Sequence, residues 1–127
     1  MTLPTRLSAA RYVSLETSRR SGATVRTPVW FVELRDELCI RTDPRSGKAK
    51  RMRNNPSVRV APCTVRGEPT GDWFEGRARF LGVEDSAATL RLFRKRYGLQ
   101  YAIVGLWRRL RGAPPFAVIA VTLADAN

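Results

Sequence analysis

The chain has no histidine, so it lacks both the commonest general base and the commonest metal ligand. No Ser-His-Asp or Cys-His arrangement can be built from it. Only two cysteines occur, Cys39 and Cys63, and both lie in apolar runs. Their spacing fits neither a disulfide framework nor a zinc site, so both read as buried free thiols. No apolar stretch is long enough to span a bilayer. The first residues, Met1-Thr2-Leu3-Pro4-Thr5-Arg6, lack the charged and apolar regions of a secretory leader, so a cytoplasmic location is expected. Acids are scarce: 11 against 23 bases. Glu16, Glu33, Glu75 and Asp72 stand singly and read as exposed or ion-paired rather than catalytic. An enzyme built from such residues must borrow its chemistry from a bound cofactor.

Positive charge is what the chain has in excess. The net charge is +12, and only Lys48, Lys50 and Lys95 among the 23 bases are lysines. Most arginines are scattered and read as solvated surface. One stretch stands apart, with Arg41, Arg45, Lys48, Lys50, Arg51, Arg53 and Arg59 against the single acid Asp43. Such a patch draws anions.

With 127 residues, 43% of them hydrophobic, the chain is expected to form one domain over residues 1–127. Leu7 to Arg11 reads as a short leading helix. Alternation predicts strands over Tyr12–Arg19, Val25–Glu33, Glu37–Thr42, Ser57–Val65 and Trp73–Leu81. A final strand, Phe116–Leu123, is apolar on both faces. Helical spacing appears in Glu84–Tyr97 (Ala87, Leu90, Phe93, Tyr97) and in Tyr101–Arg111 (Ile103, Leu106, Trp107, Leu110), separated by Gly98. The fold class is therefore mainly β: a six-stranded antiparallel barrel with short peripheral helices, closed because closure removes exposed edges.

Two local features point to a ligand. Thr42 to Asn55 reads as a strand end, a Ser-Gly turn and a very basic helical turn, stopped by Asn54-Asn55-Pro56. A strand, a tight turn and a basic helix N-terminus together make a phosphate site. Pro28 interrupts a strand; lacking an N–H, it marks an edge, a bulge, or a place where something other than a strand meets the backbone.

Four segments carry a resemblance. Thr27-Pro28-Val29-Trp30-Phe31, Leu38-Cys39-Ile40-Arg41-Thr42, Ser46-Gly47-Lys48-Ala49-Lys50-Arg51 and Asn54 to Cys63 resemble the pyridoxamine-phosphate-oxidase-like split β-barrel proteins. Within that group the chain is most similar to actinobacterial oxidoreductases that use the deazaflavin coenzyme F420. The resemblance implies a homodimer with the cofactor at the subunit interface, and hydride transfer from the deazaflavin to a small organic acceptor. It implies that Thr27, Pro28, Val29 and Trp30 border the ring system. Arg41 and Thr42 would flank the ribityl chain and phosphate. Ser46, Gly47, Lys48, Lys50 and Arg51 would hold the phosphate and acidic tail, with Lys48 the direct ligand and Lys50 or Arg51 the second cation. FMN is the alternative cofactor, and a non-catalytic carrier the alternative role. A nucleic-acid-binding barrel, with bases on Trp30, Phe31, Trp73 and Phe74, is a less favoured reading. The catalytic proton donor is open among Tyr12, Tyr97, Tyr101 and water. Neither a membrane nor nucleic acid is expected as a partner.

Overall fold

Phe31 is the corner on which the sheet turns. In the computed structural model, which describes residues 3–124, strand β2 (Thr24–Trp30) and strand β3 (Val32–Leu34) are consecutive in sequence, with only Phe31 between them. Yet they lie at opposite ends of one seven-stranded sheet, in the order β2-β1-β5-β6-β7-β4-β3. The other strands are β1 (Tyr12–Ser18), β4 (Glu37–Thr42), β5 (Ser57–Cys63), β6 (Phe74–Phe80) and β7 (Ala117–Leu123). All pairings are antiparallel. One chain leaving the first edge and entering the last bends the sheet into a split barrel.

The strand count is seven rather than the expected six. The expected strand Val25–Glu33 is cut at Phe31, and its halves pair with different neighbours, β1 and β4. Period-two alternation continues through such a corner, because it records the face of a side chain and not the identity of the neighbouring strand.

Alternate residues line the barrel interior. Val13, Leu15, Phe31, Leu38, Ile40, Val60, Ile119 and Val121 are all buried there. Leu3 and Leu7, beside and within helix α1 (Thr5–Ala9), close one side, and Met52 of helix α2 (Gly47–Asn54) joins the same core. Burying each large aliphatic or aromatic side chain contributes about 1.5–3 kcal/mol.

A second layer lies outside. Helix α3 (Val83–Leu110) packs its first arm on the outer face of β3, β4 and β7, where Phe93 and Tyr97 meet Val32, Cys39 and Ala120. The helix breaks at Gly98 (φ 54°, ψ −122°), a region open essentially to glycine alone. The second arm leaves the sheet. Leu99, Ile103, Leu106, Trp107 and Leu110 are each more than half exposed, so the apolar stripe read from the sequence faces outward.

Tyr97 also closes the corner. Its hydroxyl accepts from the Phe31 N–H at 3.1 Å and lies 2.9 Å from the Phe31 carbonyl and 3.1 Å from that of Arg11. These backbone groups sit where the sheet turns, beyond reach of a neighbouring strand.

On the far side of the barrel, Glu16 holds two arginines. Arg59 donates to its carboxylate through Nε (2.8 Å) and Nη2 (2.9 Å), and Arg26 through Nε (2.9 Å). The two guanidinium groups flank the Trp73 ring at 4.4 and 5.1 Å. The hydrogen bonds from Arg59, then those from Arg26, hold the Glu16 carboxyl below its ordinary value of 4.5 against the opposing effect of burial. A lowered folded-state pKa makes this a contribution that is complete above the unfolded carboxyl pKa and is lost as pH falls through the folded one. Glu16→Gln should therefore cost stability near neutrality, and the gap from wild type should shrink as pH drops below about 4.5. Urea denaturation at a series of pH values measures it; a gap independent of pH would contradict the ion-pair account.

Candidate functional site

The basic segment becomes the start of α2. Ser46 is the cap: its Oγ accepts from the Ala49 N–H at 3.2 Å and pairs with Thr42 Oγ1 at 2.9 Å. An α-helix leaves its first N–H groups without carbonyl partners, and the helix dipole adds partial positive charge there. The first turn holds no acid to balance that charge. It holds cations instead. Arg51, four residues on, folds back over Gly47, where a side-chain Cβ would lie 2.8 Å from Arg51 Nη1. Arg51 Nε donates to Thr17 Oγ1 of β1 at 2.7 Å. Burial first, then Arg51, lowers the Lys48 pKa against the opposing pull of Asp43. Lysine, arginine and a helix N-terminus thus converge with no acid in the first turn, an arrangement that favours an incoming phosphate.

Beside this point opens a cleft of about 340 Å³. Val29, Trp30, Arg41, Thr42 and Lys48, all expected site residues, line it. Four more lining residues were not singled out from the sequence: Val104, Trp107 and Arg108 from the second arm of α3, and Phe116. Asp43 also faces the cleft but is already paired, with Arg45 at 2.9 Å and Arg108 at 3.2 Å. Those bonds, Arg45 foremost, hold its carboxyl well below the usual carboxylate range. Arg108 also reaches the Pro114 carbonyl and lies over Phe116, which ties the second arm to the cleft.

The remaining expected residues are placed as follows. Ser46 and Gly47 form the helix start. Arg51 comes to that start, while Lys50 points to solvent away from the cleft lining. Thr27 and Pro28 lie on β2, opposite Leu15 and Ser14, and neither lines the cleft. Pro28 is on an edge strand, and its ring lies against the Gly67 turn, 3.4 Å from where a Cβ on Gly67 would stand.

Of the candidate proton donors, Tyr97 is committed to the Phe31 corner. Desolvation raises its pKa above the ordinary tyrosine value, against a lowering by the Phe31 backbone bond. Both cysteines are buried and free. Among the described residues, no group of three potential metal ligands exists, and no helix is long and apolar enough to cross a membrane.

A phosphate-ready helix start beside an aromatic cleft, on a curled antiparallel sheet, sets the frame for comparison with known proteins. The family described as Pyridoxamine 5'-phosphate oxidase matches residues 3–127. The chain belongs to that family. No curated protein matches the sequence. Among solved structures, the chain is similar to the heme storage protein of Vibrio cholerae, with a TM-score of 0.74 at 14% identity, covering 99% of this chain and 93% of that one. It is similar to a putative 5-nitroimidazole antibiotic resistance protein of Bacteroides thetaiotaomicron, with a TM-score of 0.69 at 14% identity, covering 95% and 77%. It is also similar to a putative pyridoxamine 5'-phosphate oxidase of Listeria innocua, with a TM-score of 0.60 at 14% identity, covering 94% and 89%. Such low identities carry the pyridoxamine 5'-phosphate oxidase fold and nothing finer. The family includes oxidoreductase-like and flavin-binding proteins, with heme-binding members among its structural neighbours.

Proposed function

We propose that the protein is an oxidoreductase that binds a phosphate-bearing flavin-type cofactor, the deazaflavin coenzyme F420 in preference to FMN, in the cleft beside α2. The observation that carries this reading is the convergence of Lys48 and Arg51 on the start of α2 with no acid in the first turn. The residues present suit the group: Lys48, Arg51, the Gly47 N–H and the Thr42–Ser46 hydroxyl pair for the phosphate, Val29 and Trp30 for the apolar ring. A reduced deazaflavin supplies a hydride when bound. The chain's own part is to hold the phosphate, present an aromatic wall and exclude water from the acceptor.

Heme, suggested by one structural neighbour, fits less well, because a chain without histidine lacks the commonest axial ligand. The nucleic-acid reading is less favoured, because Phe31 is buried in the barrel and Trp73 is flanked by Arg26 and Arg59. A homodimer with the cleft at its interface is part of the proposal. The exposed stripe on the second arm of α3 supports it, because Trp107 belongs both to that stripe and to the cleft. Reduced, buried cysteines suit a cytoplasmic setting.

Turnover separates enzyme from carrier. With reduced F420 and a panel of quinones, tetrapyrroles and nitro compounds, at least one acceptor should oxidise the coenzyme only when protein is present. Tight binding without oxidation by any acceptor would favour the carrier.

A further inference from the structure

Arg41 brings to the cleft a charge that no acid among the described residues pairs with. Its guanidinium sits among four aromatic rings: Phe116 at 4.1 Å, Tyr101 at 4.7 Å, Trp30 at 5.2 Å and Phe93 at 5.5 Å. Its Nη1 is buried and has no hydrogen-bond partner. No carboxylate among the described residues pairs with it, and the nearby Asp43 is already shared by Arg45 and Arg108. Ring faces attract a cation but offer no lone pair in the guanidinium plane. A buried donor left in that state costs free energy that an anion recovers.

Arg41 and Lys48 have different surroundings. Arg41 stands near the end of β4 among the four rings, whereas Lys48 lies in the first turn of α2, where Arg51 folds back over Gly47. The charge count differs as well. Lys48 and Arg51 together match a phosphate dianion, while Arg41, with Arg108 already paired to Asp43, matches a single negative charge.

We propose that Arg41 is a second anion site in the cleft, separate from the Lys48 site, and that it takes a carboxylate. The surrounding rings keep water from the guanidinium, and its fork binds the carboxylate. The proposal rests on the cleft being the ligand site. The carboxylate has two possible sources, the acidic tail of the cofactor or the acceptor substrate. In either case Arg41 sets specificity, because a ligand without that group leaves Arg41 buried and unpaired.

Calorimetric titration at low salt with two probes, sodium benzoate and inorganic phosphate, tests it. Arg41→Met should lose at least roughly tenfold in benzoate affinity and keep phosphate; Lys48→Ala should do the reverse. In the wild type, saturating phosphate should leave benzoate binding in place. Parallel losses of both probes, displacement of one by the other, or benzoate binding that is absent or indifferent to Arg41 would overturn the proposal. Arg41→Met should melt no lower than wild type, since it removes an unpaired charge from an aromatic cage. If it fails to fold, the competition result in the wild type still decides. The coenzymes then identify the source. If Arg41→Met weakens F420 but not FMN, the carboxylate belongs to the cofactor tail. If it weakens neither while benzoate is lost, the carboxylate belongs to the substrate. A wild type that binds neither coenzyme would sink the oxidoreductase reading, while the two-probe pattern would still judge Arg41.

Discussion

Lys48→Ala is expected to weaken coenzyme binding by about 10–100-fold, with the fold intact and the melting temperature unchanged or slightly higher. The size follows from the setting. Lys48 lies in the cleft wall, half-buried, at the positive end of α2 and within the field of Arg51. A charge-assisted hydrogen bond there contributes about 1.5–3 kcal/mol, more than an exposed pair, because water is partly excluded. The fold is spared because Lys48 makes no hydrogen bond or ion pair with the described residues, and because removing it relieves repulsion with Arg51. Lys50→Ala is the internal control. Lys50 lies two residues on, points to solvent and does not line the cleft, so its loss should change affinity less than about threefold. Fluorescence titration of both variants with F420 measures the contrast. Equal effects would mean that the patch acts only through its overall charge, and no effect from Lys48 would move the phosphate elsewhere.

Tyr97→Phe is expected to destabilise the protein by about 2–4 kcal/mol. The hydroxyl serves the Phe31 N–H and the carbonyls of Phe31 and Arg11, all at the corner where the sheet passes from its first edge to its last. Phe31 is fully buried, so water cannot replace the lost oxygen. A buried donor left without a partner costs about 1–3 kcal/mol, and the carbonyl that receives the single hydroxyl proton adds to it. The phenylalanine ring keeps the stack on Trp30 at 4.4 Å, so packing is unchanged and the loss reports the hydroxyl alone. Equilibrium denaturation in urea, with unchanged slope, should show it. A cost below about 0.5 kcal/mol would mean that the corner is held by packing and not by this oxygen.

The α2 side of the candidate site was legible as a helix start rich in cations because it is local. The Ser46 cap, Gly47 and Lys48 are consecutive, and Arg51 stands one helical turn from Gly47. Its opposite wall was not legible. Arg108 meets Asp43 across 65 residues, and nothing in either neighbourhood announces the other. At the C-terminal end of a helix, Arg108 reads as complementing the helix dipole. The barrel followed from alternation, but the cut at Phe31 did not, since strand pairing is a tertiary choice. The helical spacing of Ile103, Leu106, Trp107 and Leu110 announced an apolar face without saying what it meets, and in this chain it faces out. Glu16 was read as exposed or ion-paired; it is ion-paired and nearly buried, with two arginines that the sequence left scattered.

The most direct test is to titrate the purified protein with F420 and with FMN while following tryptophan fluorescence, since Trp30 and Trp107 both line the cleft. Saturable quenching by F420, tighter than by FMN and weakened by Lys48→Ala, is the predicted result. The contradicting result is no saturable quenching by either coenzyme, together with an RNA affinity that falls steeply with salt.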